Sequence, residues 1–295
     1  MVKSQIKSNM KKLTLFISIV LLAQMSFGQW SKGKGKGYYK LSAWYLNTDQ
    51  HYTDTGEIDP NATRTQFNLN FYGEYGLSDK LDVIAYVPFF ARATQNNILS
   101  GTTGAIIQEG EGINSIGDID LGFNYNFFKK GKWSASAKLL FGLPTGEDAG
   151  GSDGSYQTGD GEFNQYLSGL LGYSTSFNGA PFFAKAYLGY NNRTQNFSDE
   201  VRFGLESGIN LFNNKLWLIG RLDVVESTFN GSLNAQNVAQ GSIFANNIEF
   251  VGIGAEASYY ITEKFGVSLG FGGAISGRLI AANPSLTGGI FLDIK

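Results

Sequence analysis

From Gln66 to Tyr75 the chain alternates without a break. Phe67, Leu69, Phe71, Gly73 and Tyr75 fall on one face of an extended strand, and Gln66, Asn68, Asn70, Tyr72 and Glu74 on the other. Asp118 to Phe127 repeats the pattern, with Ile119, Leu121, Phe123, Tyr125 and Phe127 opposing Asp118, Asp120, Gly122, Asn124 and Asn126. A period of two excludes an amphipathic helix and predicts strands that are apolar on one side and wet on the other.

About twelve such segments recur, at 37–46, 65–76, 80–90, 116–128, 132–143, 163–174, 182–191, 200–211, 215–226, 249–261, 265–275 and 285–294; most have the roughly ten residues that a tilted strand needs to cross a bilayer. Alternation alone also fits a soluble sandwich. The connections separate the two. After even segments they are short: 77–79, 129–131, 175–181, 212–214 and 262–264. After odd segments they are mostly long and polar: 47–64, 91–115, 144–162, 192–199, 227–248 and 276–284. Short turns at one end and long loops at the other are the habit of outer-membrane barrels. The expected fold is therefore all-β, a transmembrane antiparallel up-and-down barrel of about 12 strands with both termini in the periplasm. Tyr75, Phe127, Trp133, Tyr173 and Tyr259 end apolar faces near the short turns, as an interfacial girdle would. Pro60, Pro181 and Pro284 are assigned to connections, and Pro88 and Pro144 to loop-side strand ends, where a missing N–H matters least.

The ends and the composition agree. Lys3, Lys7, Lys11 and Lys12 precede an apolar run, Leu13 to Ala23, that is too short to span a bilayer as a helix, and Ser26-Phe27-Gly28 offers small residues for cleavage. Residues 1–28 read as a signal peptide and 29–295 as the barrel, which places the mature protein in a Gram-negative outer membrane. Removing those four lysines takes the formal net charge from −2 to about −6, which argues against nucleic acid as a partner. Glycine numbers 39, aromatics reach 14% and charged residues only 16%, a poor match to a soluble protein of this length. There is no cysteine, hence no disulfide, lipoprotein anchor or thiolate metal site.

Signals for catalysis are weak. His51 is the single histidine and sits in the first long connection with no clear serine partner, so it reads as a solvated residue. A loop-sited lipid hydrolase is the remote alternative. The loop Gly146 to Gly161 carries Glu147, Asp148, Asp153 and Asp160, but their spacing is that of no EF-hand. It reads as a flexible surface loop, with calcium as the lesser alternative. Gly33-Lys34-Gly35-Lys36-Gly37 lacks the strand, the helix and the Ser/Thr of a phosphate loop and reads as a flexible periplasmic lead-in. No cofactor or metal site is expected.

The inward-facing charges carry more weight. Lys40, Glu74, Asp118, Asp120, Lys138, Lys185, Arg202, Glu206, Arg221, Asp223 and Glu256 all fall on polar faces and are the candidates for lining the lumen. Asp118 and Asp120 are expected beside Lys138, and Arg202 and Glu206 beside Arg221 and Asp223. Two readings stay open: a charged wall around a pore, or a salt-bridged interior that fills a small barrel. Mixed signs argue against strong ion selectivity.

Ile116-Gly117-Asp118-Ile119-Asp120-Leu121-Gly122 with Asn124-Tyr125, then Phe141-Gly142-Leu143-Pro144-Thr145-Gly146, resembles the outer-membrane proteins named after the meta-pathway of phenol degradation. Gly76-Leu77-Ser78-Asp79-Lys80-Leu81-Asp82 fits the same group. The resemblance covers roughly residues 65–295, and the group is distantly similar to fatty-acid and aromatic-hydrocarbon channels. It implies passive uptake of small hydrophobic or aromatic solutes and names no catalytic residue. Those channels carry an N-terminal plug, for which the few residues before the first strand leave little room. The expected partners are outer-membrane lipid, a small hydrophobic solute and, during insertion, the barrel-assembly machinery, which often reads a terminal aromatic; Phe291 is the nearest. The competing expectation is a non-transport protein, a closed barrel with adhesive or structural extracellular loops.

Overall fold

The computed structural model describes residues 31–233 and 242–295; the leader assigned to residues 1–28 lies outside them. Twelve long strands follow one another: β1 (Gly37–Tyr52), β2 (Ile58–Gly76), β3 (Leu81–Gln95), β4 (Ile119–Lys130), β5 (Trp133–Leu143), β6 (Asn164–Phe177), β7 (Ala180–Arg193), β8 (Glu200–Leu211), β9 (Leu216–Ser227), β10 (Glu249–Tyr260), β11 (Phe265–Arg278) and β12 (Ser285–Ile294). Each pairs antiparallel with the next. β12 returns to β1 from Leu46↔Ser285 to Gly37↔Ile294, so the sheet closes and has no free edge. No helix among the described residues is long and apolar enough to cross a membrane, which says nothing against crossing with strands.

The two faces of each strand divide as the alternation requires. Leu121, Phe123, Tyr125 and Phe127 of β4 are exposed on the outer wall, while Asn124 and Asn126 between them are buried inside. Tyr75, Phe127, Trp133 and Tyr259 stand exposed beside the short turns, and Trp133 packs against Tyr173 with ring centroids 4.9 Å apart.

Several boundaries differ from the sequence reading. β1 and β2 continue upward through Gln50↔Pro60 and Tyr52↔Ile58, so the expected loop 47–64 shrinks to a tight turn. Pro60 thus lies within a strand. Backbone pairing needs no apolar face, so polar sequence hid these extensions. Within 91–115, β3 runs to Gln95, Glu111–Ser115 pairs back onto it, and Ile98–Leu99 and Ile106–Gln108 form a small ribbon. Pro88 lies inside β3 at a bulge: Leu69 faces Phe90, Phe71 faces Val87, and the ladder skips the residues between. Pro181 is the second residue of β7.

The lead-in is folded rather than free. Gly35 N–H donates to the Gly76 carbonyl at 2.9 Å, and Gly76 N–H donates to the Lys36 carbonyl at 2.9 Å. Asp82 Oδ1 accepts from Ser31 Oγ and from Lys32 N–H, both at 2.9 Å. Lys32 Nζ then reaches Glu74 Oε2 at 3.2 Å inside the barrel and lies over the Tyr38 ring. The segment therefore straps the end that carries the short turns.

Candidate solute cavity

Above that strap the lumen is filled. Tyr38, Tyr72, Ile84, Tyr260 and Phe291 form a buried cluster, with Tyr86, Leu140 and Trp217 packed against it. Phe291 lies between Tyr38 and Tyr260, at ring-centroid distances of 5.7 and 4.9 Å. The terminal aromatic thus points into the barrel, and Leu292 takes the outer face. Polar side chains fill the same level: Asn126 donates to Ser134 at 2.6 Å and to Ser136 at 3.1 Å, and Asn124 donates to Asp82 at 3.2 Å.

Next comes a row of buried charges. Lys40 of β1 meets Glu256 of β10 at 2.9 Å, reaching past β12 and β11 where Gly270 faces Glu256 and leaves the way clear. Glu256 faces Arg221 of β9 at 3.4 Å; Arg221 pairs with Glu206 of β8, directly opposite in register; Glu206 meets Lys185 of β7 at 3.0 Å. Five groups alternate in sign around part of the wall, and each lies at 5% exposure or less. Burial makes an unpaired charge very costly, so the alternation is what lets these groups stay inside.

A cavity of about 640 Å³ opens above the row. Trp44, Tyr86, Tyr166, Tyr187 and Phe250 give it aromatic walls, and Lys138, Asp120, Asp223 and Arg202 bring charge to them. Tyr187 donates to Asp223 at 2.5 Å, and Arg202, which pairs with Glu200 on its own strand, lies 5.7 Å from the centroid of the Tyr166 ring. Loops cover part of the mouth: Ser242 Oγ donates to Gln157 Oε1 at 3.0 Å, joining the β9–β10 and β5–β6 connections.

Two expected juxtapositions fail. Lys138 faces Asn124 and Ser168, while Asp120 faces Gly142, so neither Asp118 nor Asp120 is the cross-strand neighbour of Lys138. Asp118 is not among the residues that line the cavity. It precedes β4 and accepts from Gly146 N–H and Asp160 N–H, both at 2.8 Å, which pins the β5–β6 loop. Alternation assigned the faces, but register is set by turns and bulges that it does not encode. His51 also departs from its solvated reading: it is buried at the top of β1, bridged to Ala281.

The loop read as flexible is tied down by a residue the sequence did not single out. Arg193, at the top of β7, bonds Asp160 at 2.8 Å, Glu162 at 2.6 Å and Glu200 at 2.9 Å. Burial pushes the Asp160 carboxyl up to about 7, with Glu162 and Asp118 adding to the rise and Arg193 opposing it. A raised carboxyl favours the folded loop in its neutral form, so this stabilisation is complete below the ordinary value of 3.8 and is lost as pH rises through about 7. Amide exchange across 159–162, corrected for intrinsic rate, is therefore expected to be faster at about pH 8 than at about pH 5, and Asp160→Asn should abolish the difference.

No protein-family model matches the chain, and no curated protein matches its sequence. A solved outer membrane channel from Pseudomonas putida F1 is 15% identical and superposes with a TM-score of 0.65, over 92% of this chain and 100% of that one. The fold is shared with that protein: a closed antiparallel β-barrel of twelve long strands. A KdgM porin in complex with disordered oligogalacturonate is 5% identical with a TM-score of 0.48, over 87% of this chain and 99% of that one. The β domain of a Bordetella autotransporter is 13% identical, also at 0.48, over 88% and 100%.

Proposed function

We propose that this chain is an outer-membrane channel for passive uptake of small hydrophobic or aromatic solutes. The observation that carries the reading is the aromatic-walled cavity of about 640 Å³ inside a closed barrel, a size ordinary for a small-molecule site. The motifs shared with the phenol-degradation outer-membrane proteins support it, as does the shared fold with a solved outer membrane channel. Passage requires the aromatic layer and the Lys32 strap to yield, because both lie between the cavity and the short-turn end. The test is uptake of a benzene-sized solute into liposomes holding the folded barrel. Uptake faster than in empty liposomes is expected; equal rates would remove the proposal. The filled layer around Phe291 favours the second reading, a closed barrel with no transport role, and equal rates would support that one.

A further inference from the structure

Most charges near the cavity have partners in the wall. Lys40, Arg221 and Lys185 share Glu206 and Glu256. Asp223 accepts from Tyr187, and Arg202 pairs with Glu200. Asp120 lies in the field of Arg202. Lys138 is different. It lines the cavity from β5, and no ion pair within 4.0 Å or hydrogen bond reaches its ammonium among the described residues. The charges nearest in effect are the Lys185 ammonium, of like sign, and the carboxylates of Glu74 and Glu206. Its cross-strand neighbours are Asn124 and Ser168, both neutral.

An ammonium inside a barrel and short of a counter-charge is costly, and an anion from outside would relieve that cost. The surroundings say what else the anion carries. Two residues above Lys138, Leu140 points into the same cavity, with Tyr166 directly opposite on β6. Tyr86 of β3 and Tyr187 of β7 complete the wall. Flat apolar faces above a single ammonium suit a ring that bears one acidic group.

We propose that the cavity binds small aromatic monocarboxylates, with the carboxylate on Lys138 and the ring against Leu140, Tyr166 and Tyr86. This rests on the channel reading above and narrows its solute class. Size and shape admit a neutral ring as well; charge makes the preference.

The probes are benzoate and benzyl alcohol, which share a ring and differ in charge. Binding is read by equilibrium dialysis on the full-length folded barrel in detergent, and entry by liposome uptake. Benzoate is expected to bind at least about tenfold more tightly than benzyl alcohol, the size of one charge-assisted hydrogen bond. Lys138→Met should erase that margin, while Lys138→Arg should keep it. Lys138 has no ion pair within 4.0 Å among the described residues, and Glu74 and Glu206 keep Lys32, Lys185 and Arg221, so neither variant strands a carboxylate; heat-modifiable migration on a gel confirms folding. Equal binding of the two probes by the unaltered barrel would overturn the proposal, as would benzoate binding unchanged in Lys138→Met. Benzyl alcohol uptake without any benzoate preference would overturn the charge assignment and leave the channel reading standing. Benzoate bound through Lys138 with no uptake of either probe would support the site and remove the channel.

Discussion

Glu206→Gln is expected to lower the stability of the folded barrel by about 3–5 kcal/mol, the usual cost of stripping one partner from a buried ion pair. Glu206 meets Lys185 at 3.0 Å and also pairs with Arg221. Its loss takes from Lys185 the carboxylate that it meets at 3.0 Å and leaves Glu256 to serve both Arg221 and Lys40. Lys138 adds a further cation beside Lys185. The arithmetic of the row makes the ranking of variants informative. Removing Arg221 instead divides the row into two neutral pairs, Lys185 with Glu206 and Lys40 with Glu256. Arg221→Met should therefore cost clearly less than Glu206→Gln, although arginine is the larger group. Adding Lys185→Met to Glu206→Gln removes the cation that Glu206 balanced and should restore part of the stability. Denaturant midpoints followed by tryptophan fluorescence in one detergent would order the variants. Equal midpoints for Arg221→Met and Glu206→Gln would show that the row does not act as alternating pairs.

Phe291→Ala is the second large change. The side chain is 2% exposed and packs between the rings of Tyr38 and Tyr260. Deleting a buried aromatic typically costs about 3–5 kcal/mol through lost transfer energy and the void that remains. Here the void has a direction. The aromatic layer lies between the cavity and the end closed by the Lys32 strap, so truncation weakens the barrier at the same place where it weakens the fold. A lower denaturant midpoint is expected together with a more permeable lumen. Leu292→Ala, one residue along on the outer wall, should change the midpoint much less and the permeability not at all. Similar effects from the two positions would mean that the inner layer is not what closes the barrel.

The wall of this molecule was legible in the sequence and much of its interior was not, for a physical reason. Each strand must put apolar atoms on one face and polar atoms on the other, and that demand repeats every second residue. It exposes Phe123 and buries Asn124 whichever strands lie alongside. Connection length showed which end is which. Pairing partners are another matter, because a bulge such as the one at Pro88 shifts register without disturbing alternation nearby. In the β4–β5 pair, whose register shifts between Asn126 and Phe128, Lys138 comes to face Asn124, and Asp118, ahead of β4, holds the β5–β6 loop instead. The long-loop strand ends gave no signal either: Thr48–Tyr52 and Ile58–Arg64 pair in the sheet yet read as polar loop. Arg193 and Lys32 act between connections, where no period exists. The clue for Arg193 was compositional, since Asp160, Glu162 and Glu200 crowd the same rim and need a cation. The Gly-Lys-Gly stretch hid the strap, because glycine-rich sequence suits a tight hydrogen-bonded turn as well as a free one.

The lumen holds a cavity above a filled inner half. Single-channel current across a planar bilayer tests it most directly. The unaltered barrel is expected to carry little steady ionic current, and Phe291→Ala to carry several-fold more. A large steady current from the unaltered barrel, unchanged in Phe291→Ala, would contradict it.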